Sequence, residues 1–403
     1  MADFHQTGTV ATLHNLRSRD DGYLERDLVA FAQNRRITLI LPSLFSELEG
    51  PALKGIVEVL AEVPYLDEIV IGLDRADEEQ FAYAREFFSV LPQRHRILWN
   101  DGPRLRAIDE KLASGGLAPS EPGKGRNVWY CMGYVMAAGR ADVIALHDCD
   151  IVTYSRELLA RLVYPVANPA FPYTFCKGYY ARVAEGKMNG RVTRLLVTPI
   201  LSALEKTIGR HEYLDYLKGY RYPLTGEFAM RASILPDMRI PSDWGLEIGV
   251  LSEVWRNLSD RSACQVDISD HYDHKHQPLS QEDPKAGLSR MSSDIAKALF
   301  RKLATDGVVF NSETFRTLKA TYYRQALDLI DTYYSDAVMN GLIFDRHREE
   351  EAVELFAANI VEAGQTFLDN PMETPFIPNW RRINSAFPDL MSQLRVAVAA
   401  DNA

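Results

Sequence analysis

The run RITLILP (36–42) is apolar at almost every position and closes on a proline, which predicts a strand buried on both faces. Behind it, PALKGIVEVLAE (51–62) spaces Leu53, Ile56, Val57 and Leu60 three and four residues apart, the stripe of a packing helix. The alternation continues with strand LDEIVIGLD (66–74), helix ADEEQFAYAREFFSVL (76–91), strand HRILWN (95–100), helix RNVWYCMGYVMAAG (126–139) and strand ADVIALHD (141–148). Continuous apolar strands separated by amphipathic helices predict an α/β fold on a mainly parallel sheet, with ligands beyond the carboxyl ends of the strands.

Past residue 285 the pattern changes. SRMSSDIAKALFRKLA, FRTLKATYYRQALDLIDTYYSDAVM, EEEAVELFAANIVEAGQTFL and FPDLMSQLRVAVAA read as four amphipathic helices with little strand signal between them. We therefore expect an N-terminal extension over 1–35 carrying one charged helix, a catalytic domain over 36–284, and a helical C-terminal subdomain over 285–403.

Composition narrows the field. With 403 residues, 46% of them hydrophobic, the chain can bury a large core. A net charge of -10 argues against general attraction to nucleic acid or an anionic membrane, so an anionic ligand needs a local basic pocket. No apolar stretch approaches the roughly 18 residues of a membrane helix, and the start lacks a basic segment followed by an apolar one; the expectation is a cytoplasmic protein. Cys131, Cys149, Cys176 and Cys264 show no C-x-x-C spacing and are expected to be reduced thiols.

Candidate chemistry starts at ALHDCDIV (145–152), which sets Asp148 and Asp150 at the end of a buried strand. Two hard oxygen ligands there suit a Mg2+ or Mn2+ ion bridging to a diphosphate. The same pair also fits a cap for the helix beginning near Tyr154 and a turn hydrogen bond. QVDISDHYDHKHQ (265–277) carries His271, His274 and His276 in a loop-like run, either metal-directed or simply solvated. In PGKGRN (122–127), Lys124 stands in a glycine-flanked turn at a helix start, a place for a phosphate. Gly190, Arg191 and Thr193 open another helix and offer a guanidinium and a hydroxyl to a phosphate or carboxylate, with Lys187 nearby. Glu247 falls within an otherwise apolar helix, as a satisfied core acid or one aimed at a sugar hydroxyl.

In order, LPSLFSELEG, GKGRN, ALHDCDIV, GRVTRLL, PLTGEFA, DWGLEIGVL and HYDHKHQ resemble the glucosyl-3-phosphoglycerate synthases, retaining nucleotide-sugar glycosyltransferases of GT-A fold. The chain is more distantly similar to mannosylglycerate synthases. The resemblance spans about residues 36 to 280, and to a longer bacterial subgroup nearly the whole chain. It implies a nucleotide-sugar half over 36–150 and an acceptor half over 151–284. It implies glucose transfer from UDP-glucose to 3-phosphoglycerate with retention, dependent on Mg2+ or Mn2+, for glucosylglycerate-type compatible solute synthesis.

By position, the resemblance gives Leu44 and Glu47 to the uridine and Asp74, more loosely, to the nucleotide site. Lys124 matches a lysine near the diphosphate, Asp150 the metal ligand, Asp148 the acid facing the ribose or sugar, and His274 the histidine completing the metal shell. Gly190, Arg191 and Thr193 match the acceptor-phosphate site, and Glu247 the acid contacting the donor sugar's hydroxyls. Three departures stand out: Cys149 replaces a serine between the acids, Phe45 replaces a polar residue of shorter members, and HKHQ replaces an arginine-bearing loop. The last leaves diphosphate contacts to Lys275 or His276.

Other readings remain open at this point. A mannosyl- or glucosylglycerate synthase would use GDP-mannose or UDP-glucose with D-glycerate. A sugar nucleotidylyltransferase would also use paired acids, yet no glycine- and arginine-rich loop for a nucleoside triphosphate is evident. A non-catalytic nucleotide-sugar sensor could dispense with metal ligands. The apolar faces of the C-terminal helices need covering, from which a homodimer is expected.

Overall fold

The computed structural model describes residues 6, 8–16, 22–119, 121–270, 272–273, 287–372 and 376–403. Among the described residues ten strands occur in chain order: β1 Ala11–Leu13, β2 Ile37–Leu44, β3 Leu66–Asp74, β4 Arg94–Trp99, β5 Val143–Leu146, β6 Phe175–Tyr180, β7 Val183–Ala184, β8 Lys187–Met188, β9 Phe228–Arg231 and β10 Ala263–Ser269. Eight form one sheet in the order β1-β10-β6-β9-β5-β2-β3-β4, and β7 and β8 form a separate hairpin. Within the large sheet only β9 runs against its neighbours, antiparallel to both β5 and β6.

The apolar runs behave as their pattern requires. β2, buried at Ile37, Leu39, Ile40 and Leu41, pairs parallel with β3 on one side and β5 on the other. Helices Pro51–Ala61, Glu78–Phe88 and Arg156–Ala167 bury their stripes in a core on one face of the sheet. The other face carries helices Pro103–Ser114 and Lys124–Ala138. That second core continues without a break into helices Gly287–Thr305, Ser312–Met339, Arg346–Asp369, Trp380–Ala386 and Leu390–Asp401.

Trp380 shows how the C-terminal helices are fastened. Its ring stacks on Trp129 at 4.0 Å, and each indole nitrogen donates to a carbonyl across the junction, Trp380 to Trp129 at 3.0 Å and Trp129 to Pro378 at 2.9 Å. Burial on this scale, with both indole N–H groups satisfied, fixes the helices on the sheet domain rather than leaving them tethered beside it.

Three strands escape the hydrophobic pattern. β1 comes from the N-terminal segment and extends the sheet by pairing parallel with β10, so that segment contributes more than its helix Tyr23–Ala32. β6 contains Lys177 and β9 follows Glu227, charged residues that are fully buried because each finds a partner inside. The Lys177 ammonium donates to the Thr225 carbonyl at 2.8 Å, and Glu227 accepts from Tyr272 at 2.9 Å. All four cysteines are free and buried.

Candidate active site

β5 ends at Leu146, and the chain then leaves the sheet's carboxyl edge through Asp148 and Asp150. The helix cap imagined for these acids is supplied by Ser155, whose hydroxyl accepts from the Leu158 amide at 3.2 Å. Both aspartates instead line a cavity of about 230 Å³ together with Lys124, Gly190, Arg191, Thr193 and Glu247. Seven residues singled out from separate stretches of sequence are thus brought to one place.

Lys124 is the first residue of helix Lys124–Ala138, where its ammonium bridges Asp148 Oδ1 at 2.6 Å and Glu247 Oε1 at 2.9 Å. Burial works against the ammonium, but Asp148 and Glu247 outweigh it and hold its pKa above the ordinary lysine value. The close approach depends on Gly125: a Cβ there would lie 1.9 Å from the Pro241 carbonyl oxygen, so only glycine lets the helix start abut the segment leading to Glu247. Glu247 itself lies in the first turn of helix Leu246–Asn257 and is 8% exposed, facing the cavity rather than the core.

Asp150 has its carboxyl pushed up to about 7, first by burial and then by the charge of Asp148, with Glu47 and Glu227 adding to the effect and Lys124 opposing it. A site that concentrates carboxylate oxygen in this way suits a hard divalent cation, which would offset the mutual repulsion. Among the described residues no three His, Cys, Asp or Glu side chains are grouped to hold a metal. His274, with His271, Lys275 and His276, lies outside the described residues. Its neighbour Asp273 is pinned beside the acid pair, accepting from the Val152 amide at 2.8 Å and donating its own amide to Thr153 Oγ1 at 3.0 Å. The carboxylate oxygens of Asp148 and Asp150 are hard donors of the kind that Mg2+ and Mn2+ take.

Glu227 supports this arrangement from below. Its carboxylate accepts from Thr225 Oγ1, from the Tyr180 hydroxyl at 3.2 Å and from Tyr272, whose ring stacks on Tyr180 at 3.5 Å. Burial, then Asp148, raises the Glu227 pKa. Lys177, nearby and fully buried, is pushed down to about 8 by burial against the pull of Glu247 and Glu227.

The remaining nucleotide candidates stand along the same sheet edge, outside the cavity lining. Leu44 and Asp74 are register partners at the carboxyl ends of β2 and β3, and Glu47 lies in the short helix Phe45–Leu48 that follows. Asp74 accepts from Asn100 Nδ2 at 2.7 Å, and burial raises its pKa despite that bond and another from Asn127.

Also in the cavity lining, Gly190 precedes a π-helical stretch, Val192–Val197, whose N-cap position is Arg191. Thr193 Oγ1 and Asn189 Nδ2 are buried polar atoms with no hydrogen-bond partner among the described residues, both on residues lining the cavity. Unsatisfied donors beside a guanidinium are the signature of a subsite made for an anion. Lys187, by contrast, is exposed on β8 and does not line the cavity.

Sequence reasoning passed over Tyr180, Arg182, Asn189, Tyr222, Trp244 and, from helix Gly287–Thr305, Leu288, Met291 and Ile295, all in the lining. Asn189 directly precedes Gly190 and Trp244 lies three residues before Glu247, so proximity was a usable signal for those two. The helix residues gave none, because their spacing reads simply as core.

The sheet, with its single antiparallel strand and the acids at its carboxyl edge, is that of the GT-A glycosyltransferases. It is similar to the crystal structure of glucosyl-3-phosphoglycerate synthase from Mycobacterium tuberculosis in complex with Mn2+, UDP-glucose and phosphoglyceric acid, with a TM-score of 0.53 at 22% identity over 73% of this chain and 88% of that one. No family model matches the chain. It is, however, 45% identical over 402 residues to the glucosyl-3-phosphoglycerate synthase of Persephonella marina, covering 100% of this chain and 99% of the relative. It is 39% identical over 405 residues to that of Methanococcoides burtonii, covering 99% and 98%. The chain belongs to the glucosyl-3-phosphoglycerate synthase family.

Proposed function

We propose that this enzyme transfers glucose from UDP-glucose to 3-phosphoglycerate with retention at the anomeric carbon, giving glucosyl-3-phosphoglycerate. The observation that carries the reading is the cavity itself. Its lining brings Lys124, Asp148, Asp150 and Glu247 together with Asn189, Arg191 and Thr193, so a sugar diphosphate and a phosphorylated acceptor can meet there. The homologous crystal structure with Mn2+, UDP-glucose and phosphoglyceric acid supports the same pair of substrates.

Within that reading, Leu44, Glu47 and Asp74 hold the nucleoside along the sheet edge, and Glu247 accepts hydrogen bonds from the glucose hydroxyls. Asp150 and His274 would hold the divalent ion, with Asp148 facing the ribose or sugar. When bound, the ion neutralises charge developing on the departing diphosphate. Lys124 acts on the same charge: its ammonium, shared between Asp148 and Glu247, gains a diphosphate oxygen as the C1–oxygen bond breaks. Arg191 and Thr193 fix the acceptor phosphate so that the glycerate hydroxyl lies near C1. That hydroxyl attacks from the leaving-group side, forms the new C1–oxygen bond and passes its proton to a diphosphate oxygen.

Arg191, and the unsatisfied donors beside it, favour the phosphorylated acceptor over glycerate. No helix of the described residues is long and apolar enough to cross a membrane; we propose that the enzyme works as a cytoplasmic homodimer in compatible-solute synthesis. The test is to offer the purified protein UDP-glucose or GDP-mannose with 3-phosphoglycerate or glycerate and Mg2+, and to weigh the products. A product from UDP-glucose and 3-phosphoglycerate alone supports the reading, and transfer to glycerate in preference overturns it.

A further inference from the structure

We infer that Glu349, in the C-terminal helical region, is the positioning residue for Arg191, so that those helices complete the acceptor subsite; the inference rests on the acceptor reading given above. Glu349 lies in the first turn of helix Arg346–Asp369 and is 4% exposed. One carboxylate oxygen, Oε1, accepts from Arg191 Nε at 2.7 Å, and the other, Oε2, faces a terminal nitrogen of Arg194 at 2.8 Å. Arg194 is held in turn by the carbonyls of Asn189, at 2.9 Å, and Met188, at 3.2 Å, and its guanidinium lies over the Tyr333 ring at 4.9 Å.

The loop carrying the subsite is fastened at a further point, where the Ile343 amide donates to the Gly186 carbonyl at 2.7 Å. Residues 186–194, which include the unsatisfied Asn189 amide and Thr193 hydroxyl, are thus shaped against the C-terminal helices. Gripping Arg191 by Nε fixes the plane of the guanidinium and leaves its two terminal nitrogens for an anion, the fork that suits phosphate. A long side chain otherwise free at the cavity wall would have to be ordered each time the acceptor bound.

Electrostatics alone makes the opposite forecast. Glu349 is one carboxylate against two guanidinium groups, and removing it makes the subsite more positive, which by itself would tighten an anion. The sign of the effect therefore separates positioning from charge.

The experiment measures KM for 3-phosphoglycerate and for UDP-glucose, and calorimetric binding of 3-phosphoglycerate alone, in the full-length enzyme and in Glu349→Ala, Glu349→Gln and Glu349→Asp. Glu349→Ala should raise the acceptor KM and weaken acceptor binding by about tenfold, the cost of ordering one long side chain, while the donor KM stays within about twofold. Glu349→Gln, which keeps an oxygen for Arg191 Nε, should restore most of the wild-type KM. Glu349→Asp keeps the charge but withdraws the carboxylate by one methylene, and should resemble alanine; it decides the matter if the alanine variant does not fold. An acceptor KM that falls or stays level in both Ala and Asp variants, or donor and acceptor KM rising together, overturns the inference. A wild-type enzyme that neither binds nor uses 3-phosphoglycerate defeats the acceptor reading itself, an outcome distinguishable from failure of the Glu349 assignment alone.

Discussion

Gly226 stands directly against Asp148, and adding one methyl group there moves the site without touching its chemistry. A Cβ at residue 226 would lie 2.3 Å from Asp148 Oδ2, 2.6 Å from its Cγ and 2.7 Å from Oδ1. A carbon and an oxygen come no closer than about 3.3 Å without strain, so in Gly226→Ala the Asp148 carboxylate must retreat by about 1 Å. Its ion pair with Lys124, 2.6 Å long, stretches by a similar amount or breaks, and Lys124 turns further toward Glu247. Displacement of a reacting group by about 1 Å can lower turnover on the order of 100-fold. Because the atoms displaced belong to a side chain at a cavity wall, the melting temperature should change little. Steady-state UDP release with both substrates, alongside thermal unfolding, tests this. Turnover within threefold of wild type would show that the placement of Asp148 does not govern the reaction, and a large fall in melting temperature would show that the methyl group acts on the fold instead.

Asp150→Ala should reduce turnover on the order of 1000-fold with the fold intact, as loss of metal-assisted charge stabilisation demands, and excess Mg2+ should not restore it; near-normal rates in saturating Mg2+ would refute the ligand assignment. Asp243, 8% exposed, has its carboxyl pushed up to about 6 by burial and by Asp294, so the folded state holds the proton more tightly than the unfolded chain. Its contribution is therefore fully present below about pH 4 and lost as pH rises through 6, and Asp243→Asn should gain relative stability over that window, on the order of 3 kcal/mol by pH 8. Urea unfolding at pH 4 and pH 8 checks this, and a difference from wild type independent of pH refutes it. Trp380→Ala should cost about 3–5 kcal/mol in unfolding free energy through the cavity left against Trp129, and a loss under 1 kcal/mol would mean that the C-terminal helices are fastened elsewhere.

The parallel half of the sheet was legible because its strands are buried on both faces: β2 and β3 each carry a central apolar run, Leu39–Leu41 and Ile69–Ile71, and their helices carry clear stripes. β6 and β9 were not, since a lysine within one and a glutamate just before the other look like surface positions until the bonds from Lys177 to Thr225 and from Tyr272 to Glu227 are seen. The same holds for the site. Lys124 in its glycine-flanked turn, and Asp148 and Asp150 at the end of an apolar strand, announced themselves, and the cavity gathers them. Glu349 could not be found that way, because it sits 158 positions from Arg191, among three consecutive glutamates at the start of a helix that reads as a solvated face. Only the fold distinguishes the one that turns inward.

The most direct measurement is a proton NMR spectrum of the product formed from UDP-glucose, 3-phosphoglycerate and Mg2+. The account predicts one glucosyl-3-phosphoglycerate whose anomeric proton keeps the small α coupling of the donor, formed together with free UDP. A β-linked product, or glucose released to water with the phosphoglycerate unchanged, would contradict it.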